Sequence, residues 1–134
     1  MGLMEMEKKL FTYEEYRALE LPQGQDAEFV EGEIIMRYRP TLEHQEILGN
    51  LFYALKDYLK GKPCKVLPEA EVDLFANQTQ IRIPDILINC KNERDKRTHI
   101  EGAPEIVIEI VSKSSITQDY IIKTAAYQQA GVKE

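Results

Sequence analysis

The chain is poor in several features that would mark common classes of protein. It has only two cysteines, Cys64 and Cys90, far apart, with no CxxC pair and no Cys/His cluster. That spacing excludes the usual zinc modules and predicts two reduced, buried thiols. No apolar run approaches the ~18–20 residues that a membrane span needs. Met1–Lys9 is too polar for a signal peptide, so the expected location is cytoplasmic and no membrane partner is expected. Repeats, low-complexity tracts and linkers are absent. Basic residues are in deficit too: 17 Lys and Arg stand against 23 Asp and Glu, for a net charge of −6. The deficit argues against broad, non-specific nucleic-acid binding, which runs on phosphate neutralisation by cations. It leaves room for a nuclease, because an acidic cluster that holds a divalent cation is less negative in its working form.

What remains is an ordinary globular balance, 43% hydrophobic and 30% charged over 134 residues, which suits a single domain spanning 1–134. Thr12-Tyr13-Glu14-Glu15-Tyr16 predicts a helix opened by a capping box, Thr12 with Glu15, after a frayed start over residues 1–10. Leu21-Pro22-Gln23-Gly24 closes that region. Ala27–Met36 predicts two short strands turning at Glu31-Gly32. Apolar residues at Ile47, Leu48, Leu51, Phe52, Leu55, Tyr58 and Leu59 predict an amphipathic helix from about Leu42 to Lys60, stopped by Gly61 and Pro63. A strand bent at Pro68 is expected over Lys65–Phe75, a turn at Asn77-Gln78, and a strand over Ile81–Cys90. Pro84 sets that strand at an edge, a start or a bulge. Lys91–Gly102 reads as a charged loop. Ile106–Val111 is the most apolar strand, and Ser112–Ser115 leads to a last helix over Thr117–Ala130, closed by Gly131. This order fits an α/β (α+β) architecture, a mixed sheet with helices packed on it.

Three positions stand out chemically. Glu109 interrupts a β-branched run that looks buried on both faces. A carboxylate there is costly unless paired or bound to a metal. Strand alternation sets Val107, Glu109 and Val111 on one face and Ile106, Ile108 and Ile110 on the other. Asp85 follows Pro84 and opens the run Ile86-Leu87-Ile88. Two acids on neighbouring strands can grip one Mg2+ through hard oxygens, and such an ion activates water and offsets phosphate charge. Lys123 lies in the last helix, four residues before Tyr127 and on the same face. A lysine near such water can orient it or stabilise transition-state charge. Each position has a plainer alternative: a structural ion pair for Glu109, a turn-capping role for Asp85, a snorkelling surface lysine for Lys123.

Five segments, in order, carry a resemblance. Glu28-Phe29-Val30-Glu31-Gly32-Glu33 resembles a "YELIDGE" hairpin, and Pro40-Thr41-Leu42-Glu43-His44-Gln45 a "PxxxHQ" helix start. Arg82-Ile83-Pro84-Asp85 resembles an "R-x-PD" strand, and Gly102–Ser112 a "GAPDLVVEVLS" strand. Asp119, Lys123, Tyr127, Gly131 and Val132 match "D-x3-K-x3-Y-x3-GV". Over roughly residues 12–134 the chain resembles the Uma-two family of putative restriction-endonuclease-like proteins, within the PD-(D/E)XK nuclease superfamily. The resemblance implies a restriction-endonuclease-like fold, a mixed central sheet flanked by helices, with an N-terminal helix and β-hairpin. It implies Asp85 and Glu109 as ligands of Mg2+ or Mn2+, and Lys123 as the catalytic lysine moved to the following helix, since the usual position two residues after Glu109 holds Val111. Glu28 matches the hairpin acid, a further ligand or base. His44 matches the helix-start histidine, able to contact phosphate or water. Glu69 and Glu71 are lesser candidates for the metal, and Tyr127 is expected to pack beside Lys123. The family's strands beyond "GV-x-E" are not found before Glu134, which would leave an exposed sheet edge that invites self-association.

The expected function is a metal-dependent DNA endonuclease with Asp85, Glu109, Lys123, Glu28 and His44 at its catalytic site. A homodimer would suit cutting two strands. The alternatives are a catalytically inactive nuclease-fold binding or assembly module, and a structural domain in which Glu109 and Lys123 form a buried ion pair.

Overall fold

The computed structural model describes residues 9–111 and 117–134. The expected frayed start lies almost wholly outside the described residues, as does the Ser112–Ser115 lead into the last helix.

Helix α1, Tyr13–Arg17, forms behind the expected capping box: the Glu15 N–H donates to Thr12 Oγ1 and the Thr12 N–H to Glu15 Oε1. Its buried Tyr16 stacks on Phe29 and donates its hydroxyl to the Ala27 carbonyl at 2.6 Å. The helix is thereby fixed on the hairpin of β1, Ala27–Val30, and β2, Glu33–Met36. Glu31 and Gly32 turn that hairpin, both with positive φ (47° and 90°), the backbone of a tight two-residue turn. A side chain at Gly32 would also meet Leu10, whose Cβ lies 3.1 Å from the Cβ position. Helix α2, Leu42–Tyr58, starts at Thr41, whose hydroxyl accepts the His44 N–H.

The two long strands expected next are each split. Lys65–Phe75 becomes β3, Lys65–Pro68, and β4, Val72–Asp73; Ile81–Cys90 becomes β5, Gln80–Arg82, and β6, Ile86–Asn89. The register is the same on both sides of the split. Pro68 faces Ile86 and Val72 faces Arg82, four residues further along each strand. One long antiparallel ribbon is therefore interrupted at 69–71 and 83–85 without a residue gained or lost. One feature of the sequence and one of the backbone mark the interruption: Pro84 has no N–H to donate, and Glu69 adopts a positive φ of 47°.

The ribbon feeds two sheets. A mixed five-stranded sheet has the order β2-β1-β5-β4-β7, and an antiparallel three-stranded sheet the order β3-β6-β8. Strand β7, Ile100–Glu101, runs parallel to β4 inside the segment expected to be loop. With two residues and one apolar side chain it carries no periodic signal. Strand β8, Ile106–Ile108, is shorter than the expected Ile106–Val111. Its residues are half-buried, not buried on both faces, because β6 is its only partner strand among the described residues. Its other edge meets residues 132–134, where the Val107 N–H donates to the Glu134 carbonyl.

The alternation along β8 holds. Ile106, Ile108 and Ile110 pack with Ile86, Ile88, Val66 and the Leu48–Leu55 face of α2. Val107 packs with Leu87 and with Ala126 and Tyr127 of α3, Thr117–Ala130. The three-stranded sheet thus lies between α2 and α3. No described helix is long and apolar enough to cross a membrane.

The two cysteines are joined as a disulfide, which corrects the expectation of reduced thiols. The register explains it. Lys65 pairs with Asn89, so the next residues outward, Cys64 and Cys90, face each other with Cα atoms 4.0 Å apart. Nothing in a separation of 26 residues discloses that pairing. Reducing this bond, or replacing both cysteines by serine, is expected to lower the unfolding free energy by about 3 kcal/mol. Urea denaturation with and without reductant measures it, and coincident curves would refute the expectation.

Next to the disulfide, Glu105 Oε1 accepts the Cys90 N–H and an Arg94 N–H, each at 2.8 Å. Burial opposes the charge of Glu105, but these donors outweigh burial and hold the carboxyl below its ordinary 4.5. A depressed carboxyl pKa stabilises the fold above the ordinary carboxylate range, and that contribution is lost as pH falls through the folded value. Glu105→Ala is expected to cost about 2 kcal/mol at neutral pH. The gap from wild type should narrow in denaturation curves taken below pH 4.5; a gap that stays constant would refute the assignment.

Candidate active site

The interruption at Pro84 creates the site. Backbone N–H groups around it need acceptors, and three carboxylates supply them. Glu28 Oε2, from β1, accepts the Ile83 N–H at 2.7 Å. Glu109 Oε1, one residue past β8, accepts the Asp85 N–H at 3.3 Å. Asp85 Oδ2 in return accepts the Ile110 N–H at 2.7 Å. The hairpin, the break and the end of β8 are tied together through the same acids that the sequence singled out.

Side chains from both flanking helices complete the cluster. His44, in the first turn of α2, sets Nε2 at 3.3 Å from Asp85 Oδ2, and its Nδ1 lies 2.8 Å from Gln45 Oε1. Lys123 of α3 places Nζ 3.7 Å from Glu109 Oε2 and 4.0 Å from Glu28 Oε1. Tyr127, one turn later, donates its hydroxyl to Glu109 Oε2 at 2.8 Å. All five expected residues, Glu28, His44, Asp85, Glu109 and Lys123, line one cleft of about 570 Å³. The ion pair of the structural alternative, Glu109 with Lys123, exists, but inside this cleft and shared with Glu28.

Glu69 also lines the cleft, whereas Glu71 does not: it is engaged by Arg17 of α1. Sequence reasoning overlooked Arg37, which reaches Asp26 at 3.2 Å and Asp85 at 3.9 Å just beyond β2. It also gave Tyr127 a packing role only. Tyr127 does pack in the core, and the four-residue spacing from Lys123 was the available clue that its hydroxyl reaches the same carboxylate.

The electrostatics are those of an acid-rich pocket. Burial pushes the Glu109 carboxyl above its ordinary 4.5; Lys123 and the Tyr127 hydrogen bond pull it back, and the charges of Asp85 and Glu28 push it up again. Burial, then the charge of Glu109, lifts the Tyr127 hydroxyl well above its usual range, so it stays a donor. Among the described residues no three His, Cys, Asp or Glu side chains stand close enough to hold a metal ion as a group. Mg2+, however, commonly takes only one or two carboxylates and fills its shell with water and substrate phosphate. Asp85 and Glu109 fit that donor set: two hard-oxygen ligands in one cleft, whose mutual repulsion a divalent cation would relieve.

Comparison with known proteins agrees with this architecture. A family model described as Uma2, putative restriction endonuclease, matches residues 13–134. The crystal structure of a putative nuclease belonging to DUF820 from Anabaena variabilis ATCC 29413 is similar with a TM-score of 0.74. Identity is 19%, over 91% of this chain and 70% of that one, so the likeness shows a shared nuclease-like fold. No curated protein matches.

Removing a partner of Glu109 should raise its carboxyl pKa further. Lys123→Met is expected to raise it more than Tyr127→Phe, because the lysine charge is the larger of the two opposing influences. Carboxyl carbon NMR titration of the two metal-free variants tests this, and an unchanged or lowered pKa in Lys123→Met would contradict the geometry.

Proposed function

The chain belongs to the Uma2 putative restriction endonuclease family, and on that premise we propose that it is a metal-dependent endonuclease that hydrolyses phosphodiester bonds in DNA. The observation that carries the proposal is the convergence of Asp85, Glu109 and Lys123 on one cleft from three different elements. Residues so far apart in sequence, two of them costly to bury as charges, are gathered where a substrate can reach them.

Asp85 and Glu109 would hold Mg2+ or Mn2+. A divalent cation there supplies an activated water and offsets charge on the phosphate. The protein's own groups account for the rest. Tyr127 holds Glu109 Oε2 in place, and the Asp85 N–H holds Oε1, so the carboxylate presents a fixed face. His44 and Arg37 orient Asp85 in the same way. Lys123 Nζ, 3.7 Å from Glu109 Oε2, would orient the attacking water and stabilise the charge that develops on the phosphoryl group. Glu28 Oε1 lies 4.0 Å from the lysine Nζ, and Glu28 fixes the break through Ile83.

One observation favours the alternative of a catalytically silent module: all three carboxylates already accept a backbone N–H, so each is useful to the fold without a metal. The two are separated by experiment. Purified protein should nick supercoiled plasmid in Mg2+ or Mn2+, and Asp85→Ala should lower the rate at least roughly 100-fold, a loss that even outer-shell changes reach at metal sites. Calorimetry should detect Mn2+ binding that Glu109→Ala abolishes. Equal nicking by wild type and Asp85→Ala, or no metal binding, would refute the proposal.

A further inference from the structure

The cleft holds further side chains, Tyr38, Arg39 and Tyr120, that the proposed chemistry does not use. Beyond β2 the chain runs Arg37-Tyr38-Arg39-Pro40 into the N-cap of α2, and all four residues line the cleft. Tyr38 is 89% exposed, and Tyr120, from α3 on another side of the cleft, is 51% exposed. A ring left so far in water contributes little burial to folding. Two such rings at one cleft make a stacking surface, since an aromatic face accepts any base and each contact is sequence-tolerant.

Arg39 supplies the matching charge. Arg37 is engaged by Asp26 and Asp85, but no carboxylate pairs with Arg39 among the described residues. Its guanidinium is held over Gly24, where an added Cβ would stand 3.2 Å from Nη2. It is therefore an uncompensated cation in a pocket otherwise rich in acids. The first turn of α2 adds to it: Thr41, His44 and Gln45 line the cleft, and the amino end of a 17-residue helix favours anions.

The geometry of charge also says which form of nucleic acid fits. Duplex binding depends on many phosphate contacts over an extended cationic surface, and this chain carries a net charge of −6. In a duplex the bases stack on one another, so their faces are closed to tyrosine; only an unpaired strand offers them. Taking the position of the cleaved phosphate from the nuclease proposal above, we infer that the cleft accepts a single unpaired polynucleotide strand, with Tyr38 and Tyr120 stacking on its bases and Arg39 holding a phosphate next to the one presented to Asp85 and Glu109.

Fluorescence anisotropy tests this without relying on cleavage. A labelled single-stranded DNA 20-mer, its blunt duplex, and an RNA of the same sequence are titrated with protein in Ca2+, with a gel to show that each strand stays intact. The single strands should bind at least about tenfold more tightly than the duplex. Single-stranded DNA and RNA should both bind, because the stacking and phosphate contacts are common to both. Tyr38→Ala and Tyr120→Ala should each weaken single-strand binding about fivefold to tenfold, and Tyr38→Phe should restore it. Arg39→Ala should weaken binding and reduce the salt slope by about 0.7, the value for one phosphate contact on a single strand. Duplex binding equal to or tighter than single-strand binding, no binding of any strand, or tyrosine variants that bind as wild type would overturn the inference. The two proposals fail separately. Strand preference without metal-dependent cleavage would sink the nuclease proposal alone, and metal-dependent cleavage with no strand preference would sink this one alone.

Discussion

The structure depends on how the backbone is satisfied where one long ribbon is interrupted at Pro84. A proline cannot donate to a sheet ladder, and N–H groups beside it still need acceptors. Here the acceptors are carboxylates: Glu28 for Ile83, Glu109 for Asp85, and Asp85 for Ile110. Because the register is unchanged across the break, the two sheets remain one continuous ribbon, and the acids sit at its seam. The hairpin, the three-stranded sheet and both long helices meet there. Removing any of the three acids would therefore disturb the joint between the sheets.

That arrangement works against stability. Three carboxylates in one pocket repel one another, and burial lifts the Glu109 carboxyl above its ordinary value. A carboxyl whose folded pKa is raised opposes folding when ionised: the cost appears as pH rises through the ordinary carboxylate range and is complete above the folded value. Lys123 and Tyr127 offset part of it. The remainder is compensated elsewhere, by apolar packing of α2 and α3 on opposite faces of the three-stranded sheet and by the cross-link of Cys64 to Cys90 at its far end. Local discord at the seam, held by a consistent scaffold around it, is the pattern expected of a site kept for function.

Aromatic and cationic residues at the cleft extend the same logic. Tyr16, Phe29 and Tyr127 are spent on the core, while Tyr38 and Tyr120 are left in water beside the acids. The paired Arg37 belongs to the structure of the site, and Arg39, which no carboxylate pairs among the described residues, belongs to its surface.

Much of this was legible in the residue order. The capping box at Thr12, the turn at Glu31-Gly32, the helix from Leu42 and the alternation of Ile106–Ile110 are local signals, and local backbone chemistry decides them. Asp85 and Glu109 stood out because a carboxylate beside an apolar strand is costly anywhere. Lys123 was linked to them only through the resemblance to a family, since a lysine on a helix is unremarkable by spacing. What the tertiary structure alone decided depends on register and on contacts between distant segments: the split of the ribbon, the parallel β7, the pairing of Cys64 with Cys90, and the hydroxyl of Tyr127 on Glu109. By itself the sequence determined the elements and the identity of the acids, because burial costs and turn chemistry act within a few residues. Which N–H each acid would accept was left to the fold, because those partners lie 24, 25 and 55 residues away.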